Sequence, residues 1–544
     1  MTLPPIAFTL NGATVSVAAD GCSLLEALRD RLGVRSPKDG CAPQGQCGCC
    51  TVWVDGQPRV ACVTPVARVA GRAVTTLEGL ADAAEWGSRL CAAGGSQCGF
   101  CTPGIVMRLA AMEPSARTDA GVRQSLLAHL CRCTGWNTVV SAAVPGADAP
   151  VGVDGARDLG AAAARAALEG GSPQSVSPAV ALGGGGFAAD TAPLDAWIAM
   201  RRDDGVWVVA PTVTEARRAA GKVQGRRTTE PATWPIELPD GDWVRTLQTT
   251  WVEPAYLEPD AAWCVPGGEP VGPMTNGGAF GGKAAAAPEV AIVARQLADQ
   301  HGRAVLAMYS REDVVRLGPK RPPIAAGVRA DGTGVVRVAR TPGIAAAFAS
   351  VAPGLVVEEV DVVGPPTSAL VRAAGWAEAA VLLAGDDGWV TAPNGARAHA
   401  AVAADGVLQV TVACGEVLDE VVLRSYCIGA AHMALGWVRH EAIVVGADGV
   451  PLDLTIRSFG VLRAVDTPPI EVTILPPSQP GSEVGSEVGA ASAVNGSDAV
   501  FAAVAAAVWR ADGHPTRWPN GFDAAAEPAA TSTAGTSTAG TGPA

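Results

Sequence analysis

Residues 41–62 read CAPQGQCGCCTVWVDGQPRVAC, and two shorter segments read QCGFCTPG at 97–104 and CRCTG at 131–135. Together with Cys91, these segments hold ten of the fourteen cysteines of the 544-residue chain. The first 19 residues lack the charged start and apolar run of a secretory signal, so we expect a cytoplasmic protein whose thiols stay reduced. Cysteines at this density are therefore predicted to bind metal rather than to form disulfides.

The composition argues against several classes of partner. A net charge of -13 without a Lys/Arg-rich block disfavours nucleic acid and anionic membrane surfaces. No uninterrupted apolar segment approaches the roughly 18 residues that a membrane span needs. At roughly 100 to 200 residues per domain, the length predicts three or four domains.

Turn, cap and composition signals divide the chain into six segments. Asn11-Gly12 predicts a hairpin turn, and Ser23 is expected to cap a helix at Leu24–Leu32. The segment 151–178 is rich in Ala, Gly and Pro, although Leu159–Leu168 could form a helix within it. The predicted segments are a small domain with a ferredoxin-like order of elements (1–78), a helical domain (79–150), a linker (151–178), a small α/β domain (179–250), a larger mixed α/β region (251–525) and a disordered tail (526–544).

Hydrophobic periodicity predicts the main elements inside these segments. The predicted helices are Ile105–Met112, Val122–Leu130, Asn137–Ala143, Thr214–Val223, Pro288–Asp299, Ile428–Gly436 and Ala499–Trp509. The predicted strands are Ile6–Leu10, Thr14–Val17, Thr51–Val54, Arg59–Val63, Val206–Val209, Gly334–Val338, Leu408–Ala413 and Ile470–Leu475.

The first cysteine group indicates an iron-sulfur site. Plant-type two-iron sites use C-x4-C-x2-C and a distant fourth cysteine. Here Cys47, Cys50 and Cys62 follow that pattern, but the gap after Cys41 is five residues long, so the loop must bulge. Gly45 makes such a bulge feasible. The extra thiol, at position 49, leaves structural zinc and a redox thiol pair open as alternatives.

The second group combines a C-x2-C pair, Cys98 and Cys101, with a C-x-C pair, Cys131 and Cys133. Each pair is predicted to precede a helix. The partial positive charge of two helix N-termini would stabilise four thiolates in one place. Four cysteines also suit tetrahedral zinc, so the spacing alone leaves zinc open.

GQCGCCTV at 45–52, QCGFCTPG and CRCTG together resemble the two-cluster iron-sulfur part of the xanthine oxidase family of molybdenum hydroxylases, which includes aldehyde oxidoreductases and isoquinoline dehydrogenases. The resemblance implies that Gln97 and Cys133 lie beside the pterin, where electrons enter the clusters. It also implies two sets of iron ligands, Cys41, Cys47, Cys50 and Cys62 for a ferredoxin-like cluster, and Cys98, Cys101, Cys131 and Cys133 for a second cluster in the helical domain.

A glycine-rich segment, GGAFGGK at 277–283, is nearly a phosphate-binding P-loop, but Ala284 lacks the hydroxyl that would hold magnesium. It could be an ordinary glycine-rich turn. It also resembles the family loop that brings backbone amides and a Phe against the molybdenum centre, and PTSALVRAAG at 366–375 resembles a segment that follows this loop. The resemblance implies these cofactor-binding residues: Gly277, Gly278, Phe280, Gly281, Gly282 and Arg372.

The catalytic carboxylate is predicted from residues 481–500, GSEVGSEVGAASAVNGSDAV. In the family a Gly-Glu near the C-terminus acts as general base. The corresponding residue here could be Glu483, Glu487 or Asp498, and Glu487 fits best by its distance from the apolar helix that begins at Ala499. Each of these could equally be a solvated loop carboxylate.

The resemblance implies an α+β multidomain fold with a ferredoxin-like β-grasp domain, a four-helix [2Fe-2S]-binding domain and a shortened mixed α/β molybdopterin-binding region. The implied activity is that of a molybdenum hydroxylase, which oxidises an aldehyde or N-heterocycle with water as the oxygen source. The implied cofactors are two [2Fe-2S] clusters and molybdenum-molybdopterin, in the cytosine dinucleotide form.

No flavin domain is evident, so a separate flavoprotein or an external soluble acceptor is expected to take the electrons, and the chain could form homo- or hetero-oligomers. Counterparts of the segments that grip the pterin dinucleotide are not found between Gly375 and Cys427. An iron-sulfur electron-transfer or scaffold protein with a non-catalytic, reduced molybdopterin-like domain is therefore the alternative.

Overall fold

A computed structural model describes residues 4–146, 157–272, 278–284, 286–385, 388–477 and 492–521. The N-terminal part contains a five-stranded mixed sheet of order β2-β1-β5-β3-β4. Its two hairpins are those predicted, and β5 lies between them, parallel to β1 and antiparallel to β3. The strands are β1 (Ile6–Leu10), β2 (Ala13–Val17), β3 (Thr51–Val54), β4 (Gln57–Val60) and β5 (Ala73–Thr75).

The first helix begins where Ser23 accepts a hydrogen bond from the backbone N–H of Glu26. It comprises α1 (Leu24–Glu26) and continues as a π-helical turn, Ala27–Arg31. Leu24, Leu25 and Leu28 point into the core beneath the sheet. This is the β-grasp arrangement that the sequence predicts.

The helical domain follows with four helices in its described part. Trp86 and Trp136 are both buried in the core between them. The helices are α2 (Ala83–Ala93), α3 (Thr102–Ala110), α4 (Asp119–Ser125) and α5 (Asn137–Ala143). Periodicity predicts the last three, and the four-helix architecture is confirmed.

The expected linker at 151–178 is wrong for its described part, because residues 159–170 form a packed helix. Asp158 caps this helix by accepting hydrogen bonds from the N–H groups of Gly160 and Ala161. Its Ala-rich composition suits both an unstructured linker and a helix, since alanine is the strongest helix former. The helices of this region are α6 (Leu159–Gly170), α7 (Pro178–Ala181) and α8 (Ala188–Thr191).

Three further sheets lie in the described residues beyond position 190. Their orders are β7-β6-β10-β9, β13-β12-β11-β8 and β14-β15-β16-β17. The strands are β6 (Trp197–Arg201), β7 (Trp207–Ala210), β8 (Arg245–Gln248), β9 (Ala261–Cys264), β10 (Val305–Met308), β11 (Ile324–Val328), β12 (Gly334–Ala339), β13 (Leu355–Val360), β14 (Trp389–Thr391), β15 (Arg397–Val402), β16 (Leu408–Ala413) and β17 (Ile470–Ile474).

The domain boundary expected between residues 250 and 251 therefore divides two sheets. Strand β6 pairs in parallel with β10, and β8 pairs with β11. Such pairing between distant segments leaves no mark in local periodicity, so the sequence pattern could not show it. Residues 179–250 do not form a separate small domain.

The remaining helices include the long core helix α14, which packs against α15. Trp437 stacks on Phe501 with ring centroids 5.2 Å apart. Helix α14 is long and apolar enough to cross a membrane, but 89% of its apolar window is buried inside the protein, so it is a core helix. The helices are α9 (Val213–Ala219), α10 (Ala286–His301), α11 (Arg311–Leu317), α12 (Ile344–Ala349), α13 (Trp376–Leu383), α14 (Glu420–Arg439) and α15 (Ser497–Ala511).

Candidate functional site

The four cysteines of the first predicted set come from the loop between the first helix and β3 and from the turn after β4. Cys41, Cys47, Cys50 and Cys62 are at most 4% exposed. The thiols of Cys47 and Cys62 donate hydrogen bonds to Cys41 and hold its pKa well below the usual value. The backbone N–H of Cys62 also points at the Cys50 sulfur, 3.4 Å away. Gly45 takes a φ of +69°, so the additional residue of this loop falls where glycine permits a left-handed turn.

The second predicted set forms two thiol pairs, each with one member from each sequence segment. The Sγ atoms of Cys98 and Cys133 are 3.8 Å apart. Cys101 donates a hydrogen bond to Cys131, which with the Thr134 hydroxyl, 3.1 Å away, lowers the pKa of Cys131 to about 6. Both segments thus present sulfur atoms to one another.

The pairing of the thiols bears on the kind of metal group that they could hold. A tetrahedral zinc site gathers four donors about one ion, whereas a two-iron cluster divides its four cysteines between two iron atoms. The pairs Cys98–Cys133 and Cys101–Cys131 fit the two-iron group.

Cys49, the additional thiol, lies between the two sets. It is fully buried, and its thiol contacts that of Cys47. The charge of Cys131 acts on it as well. The Cβ of a residue in place of Gly104 would lie 2.9 Å from the Cys49 Cα, so α3 of the helical domain packs directly on this part of the first loop.

His129 joins the same two regions from the side of the helical domain. Its Nε2 lies 3.2 Å from the Gly104 carbonyl oxygen and 3.3 Å from the Thr51 hydroxyl. A Cβ at Gly48 would come within 2.5 Å of the imidazole ring. Burial lowers the pKa of His129 to about 4, so the ring is neutral at physiological pH.

The glycine-rich loop contacts the second thiol set. A Cβ at Gly278 would lie 2.9 Å from the Cys133 Sγ, so only glycine allows this approach. Gln97 donates hydrogen bonds to the Cys133 carbonyl at 3.0 Å and to Ser425 at 3.1 Å. Its Oε1 is buried and has no hydrogen-bond partner in the described part of the chain. A buried amide oxygen without a partner is available to a ligand that donates hydrogen bonds.

Phe280 and Arg372, two residues predicted to bind the cofactor, lie together. The Arg372 backbone N–H donates to the Phe280 carbonyl at 2.9 Å, and its guanidinium lies 4.2 Å above the centroid of the Phe280 ring. Arg372 also donates to Asp498 Oδ1 at 2.9 Å. Burial raises the pKa of Asp498, and the guanidinium of Arg372 opposes that rise.

These residues border a cavity of about 460 Å³, which we call the Phe280 cavity. Sequence reasoning missed one of its walls, the C-terminal end of α6. Glu169 is fully buried there in an ion pair with Arg165 and accepts hydrogen bonds from the N–H groups of Gly496 and Ser497, at 3.0 and 2.9 Å. Glu169 thereby holds the residues that precede Asp498. Its segment carries no motif that could have identified it.

The other residues predicted for this site have different surroundings. A Cβ at Gly281 would lie 1.7 Å from the Leu370 carbonyl, so close packing against this backbone accounts for that glycine. Lys283 forms a buried ion pair with Glu258, which removes it from the role of a P-loop lysine. Gly282 packs on Pro254. Three residues of the prediction lie outside the described residues: Gly277, Glu483 and Glu487.

Residues 76–144 match the sequence model of a family described as "[2Fe-2S] binding domain". The chain is 38% identical over 141 residues to the xanthine dehydrogenase iron-sulfur-binding subunit of Escherichia coli O157:H7, a match that covers 24% of this chain and 87% of the relative. It is 39% identical over 153 residues to xanthine dehydrogenase of Drosophila pseudoobscura pseudoobscura, covering 25% of this chain and 11% of that protein. The chain thus spans about a tenth of the length of the insect enzyme.

The fold extends the likeness over the rest of the chain. The solved structure of aldehyde oxidoreductase from Desulfovibrio gigas superposes with a TM-score of 0.66 at 14% identity, covering 95% of this chain and 99% of that one. The sequence similarity to these relatives lies in about a quarter of the chain, whereas the structural similarity extends over 95% of it. The chain belongs to the xanthine oxidase family of molybdenum hydroxylases.

Proposed function

We propose that the protein is an oxidoreductase of the molybdenum hydroxylase type, which oxidises an aldehyde or an N-heterocycle with water as the oxygen source. The observation that carries the proposal is the contact between Gly278 and Cys133, because it brings the glycine-rich loop against the second thiol set. Phe280 of the same loop borders the cavity that also contains Asp498. Substrate-sized space and a titratable carboxylate thus lie beside the loop that contacts the second thiol set.

The two [2Fe-2S] clusters would be held by the two thiol sets. The backbone N–H groups of Cys47 and Cys62 lie 3.3 and 3.4 Å from the sulfur atoms of Cys41 and Cys50. Hydrogen bonds to the sulfurs are a determinant of cluster potential. The proposed ligands are Cys41, Cys47, Cys50 and Cys62 for the first cluster, and Cys98, Cys101, Cys131 and Cys133 for the second.

The residues of this region also fit the pterin end of a molybdenum cofactor. The Gln97 Oε1 is a buried acceptor without a protein partner among the described residues, and Gly278 lets the backbone of the glycine-rich loop lie directly against Cys133. The cavity volume lies within the roughly 300 to 1,000 Å³ typical of small-molecule sites. When bound, the cofactor would supply the two-electron acceptor for the oxidation.

The dinucleotide end of the cofactor has less support. Its phosphates need cations, and the two cations of the Phe280 cavity, Lys283 and Arg372, are already paired with Glu258 and Asp498. The cytosine dinucleotide form therefore stays a prediction from the family resemblance. The same two ion pairs also support the alternative, a non-catalytic electron-transfer protein, because both cations already have a counter-charge.

Asp498 is our candidate for the general base. Asp498 lines the Phe280 cavity, which supports this role, whereas Glu483 and Glu487, the residue favoured by sequence, lie outside the described residues. Its raised pKa brings its proton affinity closer to what proton abstraction near neutral pH requires. Arg372 keeps the carboxylate oriented, and Phe280 forms an apolar wall beside it. Substrate oxidation should increase with pH as Asp498 loses its proton.

Electrons would leave the Phe280 cavity through the second thiol set and then the first. Cys133 borders the glycine-rich loop, and Cys49 lies between the sets. The final acceptor would be a separate flavoprotein or a soluble molecule. The E. coli relative is named as a subunit, so assembly with partner subunits is also proposed, in a cytoplasm that keeps thiols reduced.

Metal analysis of the purified protein tests the proposal. We expect about four iron atoms and one molybdenum atom per chain, together with the visible absorbance of [2Fe-2S] clusters. Iron at this level without molybdenum would favour the electron-transfer alternative. Zinc without visible absorbance would overturn both cluster assignments.

Substitution of the candidate base gives a second test. Asp498→Asn should lower the turnover of an aldehyde or N-heterocycle by about 100-fold or more, since general bases typically contribute factors of 10² to 10⁴. Iron and molybdenum contents should stay unchanged. Glu487→Gln is the matched control. Loss of turnover in Glu487→Gln with normal turnover in Asp498→Asn would transfer the role to Glu487.

A further inference from the structure

A second cavity of the same volume, about 460 Å³, is bounded by the loop that carries Cys41. We call it the cluster-loop cavity. One wall consists of residues 40–43 and Cys62, and the opposite wall comes from β6, β10 and α9. Two of the proposed ligands of the first cluster, Cys41 and Cys62, therefore lie on its surface. Nothing in the proposed oxidation uses this space.

The cavity has an apolar part that suits a flat organic molecule. Small-molecule sites are lined mainly by apolar side chains with a few placed polar groups. The volume accommodates a ligand of two or three fused rings. The apolar lining residues are Leu25, Met200, Val213, Leu306 and Met308.

The charges around the cavity favour an anionic ligand. Five cationic side chains and three acidic ones line it. Among them, Arg29 is paired with Asp190, Lys222 with Asp203 and Asp313, and Glu26 with Arg31, so the positive charge that faces the cavity comes mainly from Arg217 and Arg218. Arg218 lies exposed at the rim. The nearest carboxylate to the neighbouring Arg217 is that of Glu312, at 3.7 Å, which leaves much of the arginine charge uncompensated. A local positive surface on an acidic protein concentrates anions at that point.

The wall near the cysteines is preformed. Arg311 donates hydrogen bonds to the Gly40 carbonyl at 3.0 and 2.7 Å and to the Leu257 carbonyl at 2.6 Å. Asp39 accepts a hydrogen bond from the Ala42 N–H at 3.1 Å. The cysteine loop is thus fixed on α11, together with the segment that precedes β9, and a ligand would meet it in a single conformation.

We propose that the cluster-loop cavity binds the oxidant of the enzyme, a small planar quinone-type acceptor that carries a negative charge. The inference rests on the proposed function for the first cluster. Gly278, in the loop that also carries Phe280, contacts Cys133 of the second thiol set, and the cluster-loop cavity borders Cys41 and Cys62 of the first. The first thiol set therefore has a cavity of its own, apart from the glycine-rich loop that contacts the second set.

The reaction balances with this oxidant. Oxidation of the substrate with water releases two electrons and two protons. A cluster held by the first thiol set would supply these electrons one at a time, and the quinone would take up two protons from solvent to form the hydroquinone. In total, substrate, water and quinone give hydroxylated product and hydroquinone.

Binding is tested on the iron-loaded, oxidised protein by equilibrium dialysis with 9,10-anthraquinone-2-sulfonate. We expect one molecule bound per chain. Ala189→Phe, which fills the cavity from its wall, should abolish binding, and Arg218→Glu should weaken it about tenfold at low salt because it reverses a charge. Arg340→Glu, at an exposed position on another sheet, is the control and should change the Kd less than about twofold. Binding that survives Ala189→Phe would overturn the proposal.

Electron transfer is tested separately from substrate oxidation. Clusters reduced with dithionite are mixed in a stopped-flow instrument with 2,6-dichlorophenolindophenol, an anionic quinone-imine. The rate of reoxidation should saturate with dye concentration, and Ala189→Phe should slow it at least about tenfold with unchanged iron content. A linear rate that Ala189→Phe does not alter would refute the cavity as acceptor site. Dithionite bypasses the Phe280 cavity, so saturable reoxidation without substrate turnover would refute only the proposed oxidation.

Discussion

At the scale of single residues, Gly48 of the first cysteine loop packs against His129 of the helical domain. Gly48 has a φ of +75°, and a Cβ there would lie 2.5 Å from the imidazole ring. We expect Gly48→Ala to lower the free energy of unfolding by about 2 to 4 kcal/mol, through backbone strain and overpacking together. Denaturant unfolding followed by the cluster absorbance measures this.

Gly56→Ala is the control for that substitution. Gly56 has a nearly equal φ of +73° in a hairpin turn of the same domain, and nothing lies within 4 Å of its Cβ position. Only the backbone strain of about 1 to 2 kcal/mol should remain. Equal losses in the two variants would mean that the contact with His129 contributes nothing to stability.

The residues that sequence reasoning found and those that it missed differ in a physical way. Cysteines are rare and reactive, so their spacing carries the pattern of a metal group, and Cys98 to Cys133 could be located from sequence alone. Glu169 stands in an alanine-rich segment, and its role depends on burial against Gly496 and Ser497, which spacing does not encode. The sequence left three carboxylates as possible general bases, Asp498 among them. A loop that enters a cavity and a loop exposed to solvent can have the same sequence pattern, so the pattern could not decide between them.

At the scale of elements, a buried ion pair within α6 holds this helix against residues 494–497. Arg165 and Glu169 are both fully buried, and Arg165 also donates to the Val494 carbonyl at 3.0 Å. We expect Glu169→Gln to lower the free energy of unfolding by about 3 to 5 kcal/mol, because it leaves the guanidinium buried without a counter-charge. Chemical unfolding monitored by circular dichroism measures the change.

A comparable pair on α14 provides the control. Glu420 and Arg424 have the same four-residue spacing but are 52% and 32% exposed, so Glu420→Gln should cost at most about 0.5 kcal/mol. The double variant Arg165→Met, Glu169→Gln should recover much of the loss, since it removes both buried charges. A single Glu169→Gln variant as stable as Glu420→Gln would show that α6 is not held by its ion pair.

The elements were predictable where one helix or strand buries one face. Thr51–Val54, Asn137–Ala143 and Leu408–Ala413 have the predicted bounds. Helix α14 extends well beyond the predicted Ile428–Gly436, because it is buried on nearly all sides and lacks a polar face that would mark its ends. The short strand β5 was missed because three residues are too few to show alternation.

At the scale of the whole molecule, two buried histidines in distant parts of the sequence make stability depend on pH. Burial lowers the pKa of His129 and of His432 to about 4. Between about pH 6.5 and 4 the unfolded chain binds protons on both rings that the folded chain does not, so stability is lost as pH falls through this range. We expect a slope of up to about 2.7 kcal/mol per pH unit from the pair, measured by urea unfolding.

The variants His432→Gln and His301→Gln test that dependence. His432 lies in the core helix α14, and its removal should reduce the slope by about half. His301 is exposed at the end of α10, so its removal should leave the slope unchanged. An unchanged slope in His432→Gln would show that this histidine does not govern the pH dependence.

The sheets that join residues 179–250 to later strands illustrate the limit of prediction at this scale. The class of fold followed from the order of the cysteine motifs and the helices between them. The pairing of β6 with β10 and of β8 with β11 did not, since contacts between distant segments are decided by the assembled core. The order of the motifs therefore predicted the architecture correctly. The local sequence pattern, in contrast, predicted a domain boundary that falls inside a sheet.

The separation of the two cavities has a kinetic consequence for the proposed function. A substrate in the Phe280 cavity and an oxidant in the cluster-loop cavity would contact different lining residues, so neither would exclude the other. Two bound [2Fe-2S] clusters would each take one electron, so that a substrate oxidation could be completed before an oxidant arrives. Steady-state rates should then follow a two-site ping-pong pattern, with parallel double-reciprocal plots and no competition between substrate and oxidant at high concentration.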